Sequence, residues 1–436
     1  MHSVKKLEQE VRAELERDIL SFWAERMPDA GGGFLGRING EGHPVPDAPK
    51  GAILNARILW TFASAFRVLG DPTWKTVADR AFVQIRDRFC DPVYCGVYWS
   101  LDAAGRPLDT KKQFYAIAFA VYGLAEYHRA TGDKEALELA VRLYRDIEAH
   151  SLDTLKGGYR EAAQRDWSPI ADMRLSEKDR NDAKTMNTHL HILEGYTALY
   201  RVWPDAGLRR SLTALVECFL DRIVRPDGHL GLFFDEDWVS QAQTISYGHE
   251  IETSWLLLEA ADVLGDRALT ERVRACSAHL ADAALEGLQG DGSLVYEAEP
   301  ATGTTDGERH WWVQAETVVG CLYQWRLRGD EAWLDRALAC WSYIKGHLLC
   351  PDGEWYWSVL PDGTPNTADD RAGFWKCPYH NGRMCLEILS NDPAPDARDA
   401  ADQDGGDGRD EEGAERRQQD LHGRGPDAED AGVAGA

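Results

Sequence analysis

Six short segments that join a glycine to aromatic residues recur along the chain. They are Gly33-Phe34, Gly96 to Trp99, Gly158-Tyr159, Gly231 to Phe234, Gly292 to Tyr296 and Gly353 to Trp357. The steps from glycine to glycine are 63, 62, 73, 61 and 61 residues. A period this regular demands a repeat architecture before any other reading. Between consecutive segments lie two helical patterns. The first of each pair, such as KGAILNARILWTFASAFRVLG, is apolar nearly all round, as a buried helix is; the second, such as KEALELAVRLYRDIEAH, carries its charges on one face. Helices stop at Leu69-Gly70-Asp71 and Thr131-Gly132-Asp133, where a glycine C-cap precedes a turn. The last pair lacks an outer helix, which an N-terminal helix from about Val4 to Trp23 supplies. The pattern predicts an all-α fold, an (α/α)6 barrel of six inner and six outer helices over residues 1–391, with short strands or hairpins at one mouth. An open α-solenoid shares the periodicity; the count of six and the completing N-terminal helix favour closure.

Composition narrows the partners. The 436 residues include 48 Lys and Arg against 73 Asp and Glu, a net charge of −25 that leaves no basic footprint for nucleic acid. No apolar run approaches the length of a membrane span, and the charged start MHSVKKLEQEVRAELERD lacks the apolar core of a secretory signal. Nine cysteines without a C-x-x-C pair read as reduced thiols, hence a cytoplasmic location, and offer no structural zinc site. Residues 392–436 hold 14 acidic and 5 basic residues and no aromatic ring, the composition of a disordered tail. Sixteen tryptophans are unusual, and Trp99, Trp167, Trp238, Trp355, Trp357 and Trp375 fall in Gly/Asp-rich segments. Such rings either fill the core or face a flat, partly apolar ligand such as a sugar.

Register then gathers the polar residues. Each inner helix carries one or two near its N-terminal end: Arg57, Tyr115, His191 with Asn187, His249 with Glu252, Trp312 with Glu316, and His380. Parallel inner helices bring these positions to one end of the axis. One such histidine would more often be a satisfied core residue; three in three repeats point to a site. His249 and Glu252 share a helix face at i, i+3, where a carboxylate can orient an imidazole or share a metal ion with His191 or His380. His189 and His191 point to different faces, so only one of them reaches the cavity. No nucleophile elbow, P-loop or dinucleotide fingerprint occurs. Imidazoles titrate near neutrality and suit reversible proton transfer. Two of them across a sugar carbon could invert a stereocentre next to a carbonyl.

Five blocks carry a family resemblance: Leu54-Asn55-Ala56-Arg57, Lys184 to Tyr196, Ser246 to Trp255, His310 to Glu316, and Trp375 to Arg383. They resemble the cellobiose 2-epimerases of the N-acylglucosamine 2-epimerase superfamily over about residues 5–390, and the Asn-Thr-His-Leu-His form looks like the cellobiose branch. The resemblance implies the same barrel and a reversible 2-epimerisation of the reducing-end glucose of a β-1,4-linked disaccharide, through an enediolate, without metal or other cofactor; apart from the resemblance, a monomer is the expected state. Carried over, His249 and His380 form the acid/base pair, Glu252 supports His249, and Arg57 and His191 hold oxygens where charge develops. Tyr115 and Asn187 bind hydroxyls, Trp312 and Trp375 wall the sugar ring, and Ser176 and Asp179 meet the remote sugar. Glu316 is left as a structural partner of Arg57. Gly195 stands where the family pattern suggests Ala, with little expected consequence for the site. An aldose–ketose isomerase, an (α/α)6 glycoside hydrolase with two flanking carboxylates and a non-catalytic sugar-binding protein are the alternatives.

Overall fold

A computed structural model of the chain describes residues 2–390; the expected acidic tail lies outside the described residues. The first outer helix is α1 (His2–Glu14), continued through the π-helical turn Leu15–Leu20 into α2 (Ser21–Arg26). Five inner–outer pairs follow. They are α3 (Ala52–Leu69) with α4 (Pro72–Gln84), α5 (Phe114–Thr131) with α6 (Lys134–His150), α7 (Met186–Val202) with α8 (Ala206–Cys218), α9 (Tyr247–Leu264) with α10 (Arg267–Ala284), and α11 (Trp311–Arg328) with α12 (Glu331–His347). The sixth inner helix is α13 (Tyr379–Leu389).

Local chemistry sets these boundaries. Four inner helices end on a left-handed glycine, Gly70, Gly132, Gly265 or Gly329, a conformation that costs glycine little. Asp71, Asp133, Asp205, Asp266 and Asp330 then cap α4, α6, α8, α10 and α12, each accepting a backbone N–H of the first turn.

Each inner helix packs on the next around the ring, and α13 packs on α3. That last contact closes the barrel and excludes the open solenoid. The N-terminal helix seals the join: Trp355 donates to Glu14 at 2.7 Å, Trp341 donates to Glu10 at 2.8 Å, and Trp23 donates to Glu354. By length and apolarity Ala52–Leu69 could cross a membrane, but 78% of it is buried in the ring, so it is a core helix. The tenth residue of α5, α7 and α11 is Gly123, Gly195 or Gly320. A Cβ on Gly195 would lie 2.8 Å from the Ala118 carbonyl oxygen. Gly195 is therefore needed for the approach of α7 to α5.

The expected strands are two or three residues long. A two-residue strand precedes each of α3, α5, α7, α9 and α11 and pairs antiparallel with the next repeat, as Lys50-Gly51 does with Ser100-Leu101 and Lys184-Thr185 with Phe233-Phe234. In three repeats the strand lysine is buried and reaches back to an aspartate in the preceding aromatic loop: Lys50 to Asp29, Lys112 to Asp91 at 3.1 Å, Lys184 to Asp153 at 2.9 Å. In α7, α9 and α11 the fourth helical residue also grips that loop. His189, Glu250 and Gln314 accept the N–H of Tyr159, Leu230 and Leu294. These latches fix the loops, and so fix the first turn of the inner helix beside each one.

Candidate active site

The first turns of the inner helices surround a cavity of about 930 Å³, a size suited to a small ligand. All eleven residues singled out in the sequence as site residues line it. Three of them are imidazoles. His191, His249 and His380 come from α7, α9 and α13, and each has its Nδ1 held by a different partner: Glu194 Oε2 at 3.0 Å, Ser246 Oγ at 2.8 Å and Glu316 Oε1 at 2.7 Å. Among the described residues no protein hydrogen bond engages Nε2 of any of the three. His189 differs: its Nδ1 meets the Thr185 carbonyl at 2.6 Å and its Nε2 accepts from Tyr159 N, so it belongs to the scaffold.

Two expected pairings change. Glu252 does not support His249; its Oε1 accepts from Arg383 Nη2 at 2.6 Å and lies 3.9 Å from His380 Nδ1. On a helix, i and i+3 share a face but not a height, and the side chain of Glu252 points deeper, to the arginine. Glu316 does not pair with Arg57. It accepts from Arg383 at 2.7 Å and from the Trp255 indole at 3.0 Å while holding His380. Arg57 instead donates to Tyr115 OH at 2.9 Å, touches Cys377 Sγ at 3.6 Å, and lies over Phe119 and Tyr379 at 4.2 and 4.8 Å.

Burial controls the protonation states. It pushes His249 down to about 3, with the nearby His191 adding to the effect. It lowers His380, where Arg57 and Arg383 act in the same direction, and lowers His191 against the opposing pull of Glu194. All three imidazoles are neutral at pH 7. Burial and the neighbouring Glu316 raise Glu252 to about 8, so it holds a proton there. Burial also favours the neutral form of Glu194, but Arg383 and His191 outweigh it and keep Glu194 ionised. Glu252, Glu316 and His380 could by type offer ligands to a divalent cation. One guanidinium nitrogen already donates to Oε1 of both carboxylates.

Trp312 and Trp375 both line the cavity. Trp312 touches the rings of His249 and His380 at centroid distances of 4.7 and 5.5 Å. Trp375 stands 6.2 Å from Tyr115, which meets His191 edge-on at 4.9 Å. Among the described residues Asn187 Oδ1 is buried with no partner, an acceptor suited to a hydroxyl. Farther out, Ser176 donates to Asp179 at 2.8 Å. Of the six loop tryptophans, Trp357 and Trp375 reach the cavity. Trp355 is fully buried against the N-terminal helix, and Trp167 and Trp238 cover Lys112 and Lys184. Reading the sequence for single residues left out Glu194, Arg383 and Ser246. A visible signal existed: His191/Glu194, His249/Glu252 and His380/Arg383 each place a charged residue one turn below a histidine.

Residues 33–381 match the N-acylglucosamine 2-epimerase (GlcNAc 2-epimerase) family. The chain is 57% identical to a cellobiose 2-epimerase of Bacteroides fragilis over 386 residues, covering 88% of this chain and 98% of that one. It is 40% identical to one of Ruminococcus albus, covering 87% and 98%. The solved cellobiose 2-epimerase of Bacillus thermoamylovorans superposes with a TM-score of 0.84 at 39% identity, over 88% of this chain and 99% of that one. A D-mannose isomerase at 20% identity and a GH76 α-mannanase at 13% share the fold alone, with TM-scores of 0.77 and 0.58.

Proposed function

The chain belongs to the N-acylglucosamine 2-epimerase family, and from that premise we propose that it epimerises C2 of the reducing-end glucose of β-1,4-linked disaccharides such as cellobiose and lactose. One observation carries the mechanism: three neutral imidazoles from three repeats enter one cavity with Nδ1 anchored and Nε2 unengaged by the protein.

The ring-opened sugar presents an aldehyde with its acidic C2–H beside it. One imidazole of the pair His249 and His380 takes that proton. The C–H electron pair forms the C1–C2 double bond, and the carbonyl pair moves onto oxygen, giving an enediolate. That imidazolium passes a proton through solvent and the sugar hydroxyls to Nε2 of the other imidazole, which gives it to the opposite face of C2 as the aldehyde re-forms, and both imidazoles end neutral. Geometry comes before pKa for such a base. With Nδ1–H donated to Glu316, His380 presents Nε2 as a lone pair. Arg57 supplies positive charge and hydrogen bonds to the enediolate oxygen, which matters most in a dry site, and neutral His191, with Nδ1–H on Glu194, accepts from a neighbouring sugar hydroxyl at Nε2. Tyr115 and Asn187 bind hydroxyls, Trp312 and Trp375 wall the ring, and Ser176 with Asp179 meets the second sugar.

A hydrolytic reading fits the carboxylates less well. Hydrolysis needs two carboxyl groups flanking the scissile bond, whereas Glu252 and Glu316 are tied to a single guanidinium nitrogen. One chain supplies every group named, so a monomer suffices. Nine free cysteines suit the reducing cytoplasm. Incubation with cellobiose followed by product chromatography tests the assignment. The expected product is the glucosyl-mannose epimer; free glucose, or a ketose as the main product, would overturn it.

A further inference from the structure

Arg383 lies beneath the cavity and is fully buried. Its Nη1 donates to Glu194 and to the Tyr379 hydroxyl, and its Nη2 donates to Glu252 and Glu316 at 2.6 and 2.7 Å. Its plane packs on Trp255 and Tyr379 at 4.6 and 4.3 Å. Two of those carboxylates are the ones that hold imidazoles, Glu194 on His191 and Glu316 on His380. The hydrogen bonds therefore run unbroken from His191 through Glu194, Arg383 and Glu316 to His380. A fork of fixed donors is needed to serve both ends at once, and an ammonium cannot span them. Among the described residues its Nε has no partner.

We propose that Arg383 is a positioning residue: it locks Glu194 and Glu316 as acceptors, so that His191 and His380 keep Nδ1–H and present Nε2 to the sugar, and it links the state of the two imidazoles. The proposal rests on the two-imidazole reading above. The groups facing His380 are Glu316 from α11, Glu252 from α9, Glu194 and His191 from α7, Arg57 from α3, and Arg383 on its own helix. Arg383 opposes a second positive charge on His380 and on His191. Its removal frees carboxylates that favour imidazolium, so the base is lost at a higher pH as the solution is acidified.

The experiment is the pH profile of kcat/KM for cellobiose in Arg383→Met and Arg383→Lys, with near-ultraviolet circular dichroism to verify packing. Arg383→Met is expected to lower kcat by about 100-fold with little change in KM and to move the acid limb up by about one pH unit. Arg383→Lys is expected to return the limb towards its native position without full kcat. A limb that stays put while kcat falls equally at every pH, or a Lys variant identical to the Met variant, overturns the role. Should Arg383→Met not fold, Arg383→Met/Glu194→Gln removes one charge of each sign and is read against Glu194→Gln alone; an unmoved limb there overturns the role equally. If the native enzyme places no solvent deuterium at C2 of its product, the two-imidazole reading itself fails. If it does and the limb is unmoved, only the role of Arg383 fails.

Discussion

The first turns of α9 and α13 present one histidine each to the same indole, yet they prepare it differently. His380 is backed by Glu316 and by the arginine below it, whereas His249 rests on the hydroxyl of Ser246. A carboxylate behind an imidazole fixes its tautomer and stabilises the imidazolium; a hydroxyl can either donate or accept and stabilises neither form strongly. In the proposed mechanism one flank of the site stores a proton, and the other holds and releases one at low cost. A reversible epimerase needs both tasks, because each direction of the reaction begins on a different face of C2.

The largest expected effects should not tell the two flanks apart. His380→Ala and His249→Ala each remove a proton-transfer group and are expected to lower kcat by about 10³-fold or more while the far-ultraviolet spectrum is retained. Full activity in either variant would break the two-flank picture. The backing groups come next and do separate the flanks. Glu316→Gln should cost about 100-fold in kcat, because His380 loses its carboxylate, whereas Ser246→Ala should cost less than about 10-fold. Equal losses would show that the two settings are energetically alike.

The pH dependence follows from burial. Depressed histidine pKa values mean that the neutral base survives acidification, so kcat/KM should stay level down to about pH 5 instead of falling near 6.5 as for an exposed histidine. Stability moves the other way. Glu14, Glu161 and Glu252 are raised to about 8 by burial, so their contribution is present below 4.5, where the unfolded groups are also protonated, and is lost as pH rises through 8. The depressed histidines contribute above 6.5 and lose that only on acidification. Between about pH 6.5 and 8.5 the glutamates therefore decide, and the melting temperature should fall by several degrees. The smallest effect is a control that touches neither flank. Gly195→Ala forces a methyl against the Ala118 carbonyl and should cost about 1–3 kcal/mol in denaturant unfolding with a modest change in kcat.

The barrel was legible in the sequence because its cause is periodic. Glycine caps, aspartate N-caps and apolar inner helices recur at a fixed step, and each repeat reports the same physics. The convergence of His191, His249 and His380 was legible for the same reason. Their partners were not, because helical spacing gives a face and not the length or aim of a side chain. Glu252 and Glu316 sit where spacing puts them, but a buried arginine on α13 decides which imidazole each one meets. The latches of Lys112 with Asp91 and Lys184 with Asp153 join residues of adjacent repeats through loops of unequal length, 21 and 31 residues apart, and no local pattern marks them.

The most direct measurement is the turnover of cellobiose in heavy water, stopped at low conversion, with deuterium at C2 read by NMR in product and in recovered substrate. Two imidazoles on opposite faces predict a mannose-ended product labelled at C2 while the remaining cellobiose stays largely unlabelled. A product that keeps its original C2 hydrogen would contradict proton exchange through the imidazoles, and the central claim with it.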